Sequence, residues 1–206
     1  MATTEPRWRR NPEERPRQIL EAAIEVFGEA GLAGARLEEI AQRAGISKGT
    51  VYLYFASKDD LFAEVVRDTF AEIVEAVRNQ GESDSAIADL RAFCGAYWKF
   101  LRSRRFETVY RLVIAELHTF PDLSREYADE VRIPMKKAVT RILERGESTG
   151  EIRAGDQAVR ARMLLALMWQ HGIWFARRDK DLEPRAEAVV FDEVLSFFLD
   201  AAASER

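Results

Sequence analysis

Residues 38–55 read EEIAQRAGISKGTVYLYF, and the punctuation of this run decides what the surrounding chain builds. A short helix is expected over 37–44, ended by Gly45, the residue that best tolerates a left-handed stop. Ser47 then caps a second short helix over 48–54. A short helix, a tight glycine turn and another short helix is how a chain presents one helix to a DNA major groove. The charges agree with such a role: from Ala41 to Ser57 there are Arg43 and Lys48 and no acidic residue, and Lys58 follows at once.

Working outward, a helix is expected over 15–30, with Ile19, Leu20, Ala23, Val26, Phe27 and Ala30 on one stripe and Gly31 as its stop. A fourth helix opens at Ser57, with Asp60 in the place of the usual capping-box glutamate, and runs through Leu61, Phe62, Val65, Val66 and Ile73 to Val77. Gly81 and the polar residues 82–85 mark a boundary. Beyond it lie further helical patterns over 86–103, 106–119, 122–147, 157–178 and 184–203. Pro134 falls inside the third of these and predicts a kink, whereas Pro184 sits in a first turn, where proline is tolerated. There is no sustained apolar alternation and no hairpin signal, so the chain reads as all-α. Three regions follow: a flexible basic arm over 1–14, a helix-turn-helix head over 15–60, and a helical bundle over 61–206.

Composition narrows the classes. Of 206 residues, 47% are hydrophobic and 32% charged, with a net charge of −4, so any affinity for nucleic acid must come from local charge. The arm supplies some: Arg7, Arg9, Arg10, Arg15 and Arg17 stand against only Glu13 and Glu14 between them. It reads equally as a segment that follows phosphates or as a solubilising tail. Cys94 is the one cysteine, which leaves no internal disulfide and no multi-cysteine metal site. No apolar run approaches the ~20 residues of a membrane span, and the first residues lack the apolar core of a signal peptide, so a cytoplasmic protein is expected. His118 and His171 pair with no nucleophile and show no metal-ligand spacing, so no enzyme, metal or cofactor is expected.

The run Ile19-Leu20-Glu21-Ala22-Ala23 to Phe27, then Gly31, Ile40-Ala41, Ala44 to Tyr52, Tyr54-Phe55, Ser57-Lys58 and Leu61 resembles the tetracycline-repressor (TetR) family over residues 15–66. That resemblance implies a recognition helix entered or carried by Ser47, Lys48, Gly49, Thr50, Tyr52 and Tyr54, with Lys58 gripping a phosphate. Each role has a physical basis. Gly49 lets the backbone approach DNA closely, and Thr50 suits a base edge or a thymine methyl. The hydroxyls of Tyr52 and Tyr54 and the ammonium groups of Lys48 and Lys58 suit phosphates; Tyr52 and Tyr54 read alternatively as core residues. The family commonly places a hydroxyl residue before the second helix. Here Ala35 and Arg36 stand instead, which weakens the cap by about 1 kcal/mol and offers Arg36 as a substitute phosphate contact.

The last two helices are apolar on more than one face, as expected of helices buried on two sides. The resemblance implies a homodimer through a four-helix interface, for which Met168, Gly172, Val190, Val194, Phe197 and Phe198 are the candidates. A small lipophilic or aromatic effector is expected in the bundle, with Tyr97, Trp98, Tyr110, His118, Met135 and Trp169 as candidate contacts, since each brings a polar, aromatic or sulfur group to an apolar bundle. The kink near Pro134 is expected to leave room for it. The expected function is a ligand-responsive repressor of a palindromic operator in double-stranded DNA. The alternative is a helix-turn-helix protein that takes no effector.

Overall fold

All but one of the expected start and stop signals act in the first unit. In the computed structural model, which describes residues 14–79, 81–176 and 187–203, helix α1 spans Arg15–Gly34, α2 Leu37–Arg43, α3 Lys48–Tyr54 and α4 Lys58–Arg78. Arg7, Arg9 and Arg10 of the arm, Pro184, and the side chains of Trp174 and Phe175 lie outside the described residues. Gly31 does not end α1 as expected. It takes a left-handed φ of 70°, after which the helix resumes for one turn, and the amide of Ala35 returns to the Gly31 carbonyl. Gly45 does act as a stop. With φ 66° it donates its amide to Gln42, and Ile46 donates to Ala41, the paired bonds of a Schellman turn.

The chain divides into two compact units, Met1–Val65 and Val66–Arg206. The division falls inside α4, beyond the expected boundary after residue 60, because Phe62 stands edge-on to Phe27 with centroids 6.1 Å apart. Ile19, Ala23, Val26, Ile40, Val51 and Leu61 are fully or almost fully buried in the same unit.

The second unit adds α5 (Ala86–Leu101), α6 (Arg104–Glu116), α7 (Pro121–Tyr127), α8 (Ile133–Thr149), α9 (Gln157–Ala176) and α10 (Glu187–Ala202). The described residues contain no β-strand, only an isolated bridge between Ile152 and Ala203. The long helix expected over 122–147 is instead three pieces. A π-helical turn, Ala128–Arg132, joins α7 to α8, and the amide of Ile133 reaches back to the Ala128 carbonyl. Pro134 thereby falls in the first turn of α8, where its missing amide costs least. The expected kink is therefore a change of hydrogen-bond register before the proline.

Helix α8 packs along α5 and α9, and α5 also meets α9 and α10. The α5–α9 crossing is close: a Cβ built on Gly172 would lie 2.8 Å from the Cβ of Leu101. Glu151, in the turn after α8, accepts the Ser85 hydroxyl at 2.6 Å and the Ala86 amide at 2.9 Å, so a residue distant in sequence caps α5. Buried Asp89 accepts the Ser83 amide at 3.0 Å and pairs with Arg145 of α8.

Candidate nucleic-acid interface and ligand clefts

Helix α3 is held by one point and open elsewhere. Ser47 caps it, its hydroxyl oxygen accepting the Thr50 amide at 3.1 Å and lying 2.8 Å from the Thr50 hydroxyl. Val51 is its one buried residue, and Phe55 is buried just past its end. The opposite face carries Tyr52, Leu53 and Tyr54 at 48%, 83% and 40% exposure, so both tyrosines lie on the surface rather than in the core. Gly49 is exposed, and a Cβ there would meet only the Ser47 hydroxyl, at an ordinary 3.8 Å.

Lys48, Lys58 and Arg43 of the head are already engaged. Lys48 pairs with Glu38 of α2 and lies 5.6 Å over the Tyr52 ring. The hydrogen bond that Lys48 donates to the Glu38 carboxylate raises the lysine's pKa and lowers the carboxylate's. Lys58 donates to the carbonyls of Ala33 and Ala35, both at 3.1 Å, fastening the link between α1 and α2. Arg43 binds both carboxylate oxygens of Glu29, at 2.7 and 2.8 Å, and also approaches Glu39 and Glu25. It ties α2 to α1, a role that its place in the basic run did not reveal. Arg36 occupies the N-cap position of α2, makes no side-chain cap and is exposed.

The candidate effector residues are not brought to one place. Tyr97, Trp98 and Met135 are buried, Tyr110 and Trp169 are half-buried, and His118 is exposed on the 3₁₀ turn Leu117–Thr119. Tyr110 and Trp169 do meet, edge to face at 5.5 Å, while Trp98 packs on Phe191 of α10 at 5.5 Å and Tyr97 on Phe93 at 6.1 Å. Burial pushes the Tyr97 phenol well above its usual range and the Cys94 thiol up to about 12, so neither ionises near neutral pH.

A cleft of about 490 Å³ opens instead between α4 and α7 with its π turn, walled by Phe70, Val74, Leu123, Tyr127 and Val131. None of the six candidates lines it. Its signal was the four-residue spacing Val66-Phe70-Val74 on one helix and Leu123-Tyr127-Val131 on the other. Burial raises the Tyr127 phenol to about 12. Among the described residues no three His, Cys, Asp or Glu side chains group in a way that would hold a metal, and no described helix is long and apolar enough to cross a membrane.

Of the candidate dimer residues, Met168, Gly172, Val190, Val194 and Phe198 are buried within the protomer. Gly172 is used where α9 crosses Leu101. Val190 and Val194 line an open groove of about 270 Å³ between α9 and α10, together with Leu167, His171, Val189 and Phe197. Phe197 is 71% exposed. Exposed Met163 and Val189 on the same helices also face outward.

A three-helix head that presents a capped short helix defines a helix-turn-helix protein. Residues 19–65 match the bacterial regulatory proteins of the tetR family, and residues 80–190 match the tetracyclin repressor-like C-terminal domain. The chain belongs to the tetR family and is a DNA-binding transcriptional regulator. It is 31% identical over 148 residues to the HTH-type transcriptional repressor SCO4008 of Streptomyces coelicolor, covering 71% of this chain and 74% of that one. It is 26% identical over 149 residues to the fatty acid metabolism regulator protein of Bacillus subtilis, covering 72% and 76%. The structure of the B. subtilis regulator FadR in complex with stearoyl-CoA shares the fold with a TM-score of 0.71, at 23% identity over 89% of this chain and 97% of that one.

Proposed function

We propose that the protein is a cytoplasmic, ligand-responsive repressor that binds a palindromic operator as a homodimer and leaves it when a small lipophilic effector binds the second unit. The observation that carries the reading is the open face of α3, where Lys48, Gly49, Thr50, Tyr52 and Tyr54 stand around a single buried anchor, Val51. Nothing inside the head requires a glycine at 49, because a side chain there has room. A close approach of DNA backbone supplies the reason. Lys48, Lys58 and Arg36 exchange their present partners or solvent for phosphates, and Thr50 reads a base edge.

One short helix reaches too few bases to specify a site, so two copies must present it to half-sites about 34–36 Å apart. Val190, Val194 and Phe197 offer an apolar groove for the second copy. The effector acts by favouring the protomer arrangement that no longer fits both half-sites. The FadR complex with stearoyl-CoA and the B. subtilis fatty acid regulator support a lipophilic effector.

Selection of bound sequences from random duplexes, followed by titration at several salt concentrations, tests this. A palindrome should emerge, Thr50→Ala should change the preferred bases, and Lys58→Ala should weaken all duplexes about tenfold and reduce the salt slope by about 0.9. An unchanged slope for Lys58→Ala would confine Lys58 to fastening Ala33 and Ala35. A monomer indifferent to every duplex at low salt would end the reading.

A further inference from the structure

Among the described residues the most exposed large apolar side chain is Leu53, at 83%, and it stands on α3. In the first unit every exposed large apolar side chain described belongs to this one helix: Tyr52, Leu53 and Tyr54. The tyrosines carry hydroxyls that suit phosphates. Leu53 has only an isobutyl group, with nothing to offer a phosphate or water. An α-helix turns about 100° per residue, which sets Leu53 and Gly49 each about 160° from the buried anchor Val51. These two residues therefore form the outermost ridge of α3. Residues four apart are neighbours on a helix surface, so the bare backbone at 49 and the isobutyl group at 53 make one continuous strip.

That strip has a definite chemistry. Residues 47–54, SKGTVYLY, include no Arg, Asn, Gln, Asp or Glu, the side chains that most often read guanine, adenine or cytosine by hydrogen bonds. Lys48, the other such donor, is paired with Glu38 and stands about 140° round the helix from Leu53. The Thr50 hydroxyl lies 2.8 Å from that of Ser47. The ridge itself carries no hydrogen-bonding side chain. In the major groove only thymine presents a hydrocarbon group, its C5-methyl. Over a guanine, adenine or cytosine edge, Leu53 would strip water from polar atoms and give them no partner.

We propose that Leu53 is a specificity-determining residue that packs on a pyrimidine C5-methyl in the major groove, so that each half-site carries thymine at one position. This rests on the operator reading above and adds an apolar contact to the base edge read by Thr50. In 5-methylcytosine the same methyl occupies the same place in the groove, which separates the methyl from the other atoms of thymine.

The test starts from the palindrome that the full chain selects from random duplexes. Each thymine is replaced in turn, in both half-sites, by uracil, which deletes the methyl and keeps the base pair. Fluorescence anisotropy then compares wild type with Leu53→Ala. At one position uracil should weaken the wild type about fourfold per half-site and about fifteenfold for both. Leu53→Ala should bind the thymine and uracil duplexes alike there, with the salt slope of the wild type, because no phosphate contact is lost. Its melting temperature should be unchanged, since the side chain is exposed. A 5-methylcytosine·guanine pair at that position should bind the wild type more tightly than a cytosine·guanine pair. Half-sites without thymine, a uracil penalty as large in Leu53→Ala as in the wild type, or 5-methylcytosine no better than cytosine overturns the proposal. A wild type that prefers no duplex defeats the operator reading itself. A clear palindrome without a methyl effect that depends on Leu53 defeats this inference alone.

Discussion

The two units use the same residue types in opposite ways. On the head, aromatic side chains stand on the surface of α3 while the cations around them are matched, Lys48 by Glu38, Arg43 by Glu29 and Lys58 by two carbonyls. In the second unit aromatics such as Phe100 and Phe106 pack inward, at 4.9 Å, and among the described residues Lys136, Lys137 and Arg141 of α8 make no ion pair, whereas Arg145 of the same helix pairs with Asp89. A head that must meet phosphates holds its charges in set places beforehand, which lowers the entropy of ordering them on contact. A bundle that must admit a ligand keeps part of its surface chemistry unfilled. The contrast also means that neither an aromatic nor a lysine announces its role by type.

Breaking the head's small core should have the largest effect. Phe27→Ala removes the partner of Phe62 and should destabilise the first unit by about 3–5 kcal/mol, read as a lost or sharply lowered denaturant transition for that unit. A loss below 1 kcal/mol would mean that the head does not depend on this pair. In the second unit the corresponding pressure point is Gly172. Gly172→Val overpacks the crossing with Leu101 and should cost about 1–3 kcal/mol, and Leu101→Ala in the same chain should recover part of it. No recovery would show that the valine acts elsewhere.

The acidic caps come next. Hydrogen bonds from the Ser85 hydroxyl and then the Ala86 amide hold the Glu151 pKa below its ordinary 4.5, and bonds from Ser83 and then Arg145 hold Asp89 below 3.8. Folded carboxylates with depressed pKa values bind fewer protons than unfolded ones, so their stabilisation is complete above about pH 4.5 and disappears as pH falls through the depressed values. Glu151→Ala should cost about 1 kcal/mol at pH 7 and flatten the loss of melting temperature below pH 4.5. An equally steep profile would remove Glu151 from that account. The smallest change is Glu38→Gln. Releasing Lys48 should tighten binding to non-operator duplex by a few-fold at low salt, about the limit for an exposed pair, and a fluorescence anisotropy titration would show it. Weaker binding would instead make Glu38 the group that aims Lys48.

The head was legible in the chain because its signals are local. Ser47, Gly45 and Ser57 each act within one turn, and α3 falls where it was expected. Gly31 carries the signal of a stop, but a positive φ at one residue does not forbid another turn, and Leu32, buried beyond it, holds the extension in place. Pro134 marked a break, yet the π turn that absorbs it depends on which face of α7 must meet α4. The effector candidates scattered for the same reason. Tyr97, Trp98 and Met135 suit a ligand by their chemistry, but a polar atom on an aromatic ring does not distinguish a core position from a cleft wall. Gly172 is filled within the protomer by Leu101, which periodicity does not show, since it tells how much of a helix is apolar and not which neighbour covers it.

Four consecutive helices, α3 to α6, open on a serine whose hydroxyl oxygen accepts the amide three residues later: Ser47 from Thr50, Ser57 from Asp60, Ser85 from Ala88 and Ser103 from Phe106. Each of these bonds closes a very short loop. It therefore forms on the timescale of helix growth, long before distant segments find each other. A polypeptide that fixes the starting points of successive helices from its own neighbours has little left to search, and native pairings dominated by short separations favour rapid folding. Replacing these serines together should show in the refolding limb of a chevron rather than in the unfolding one.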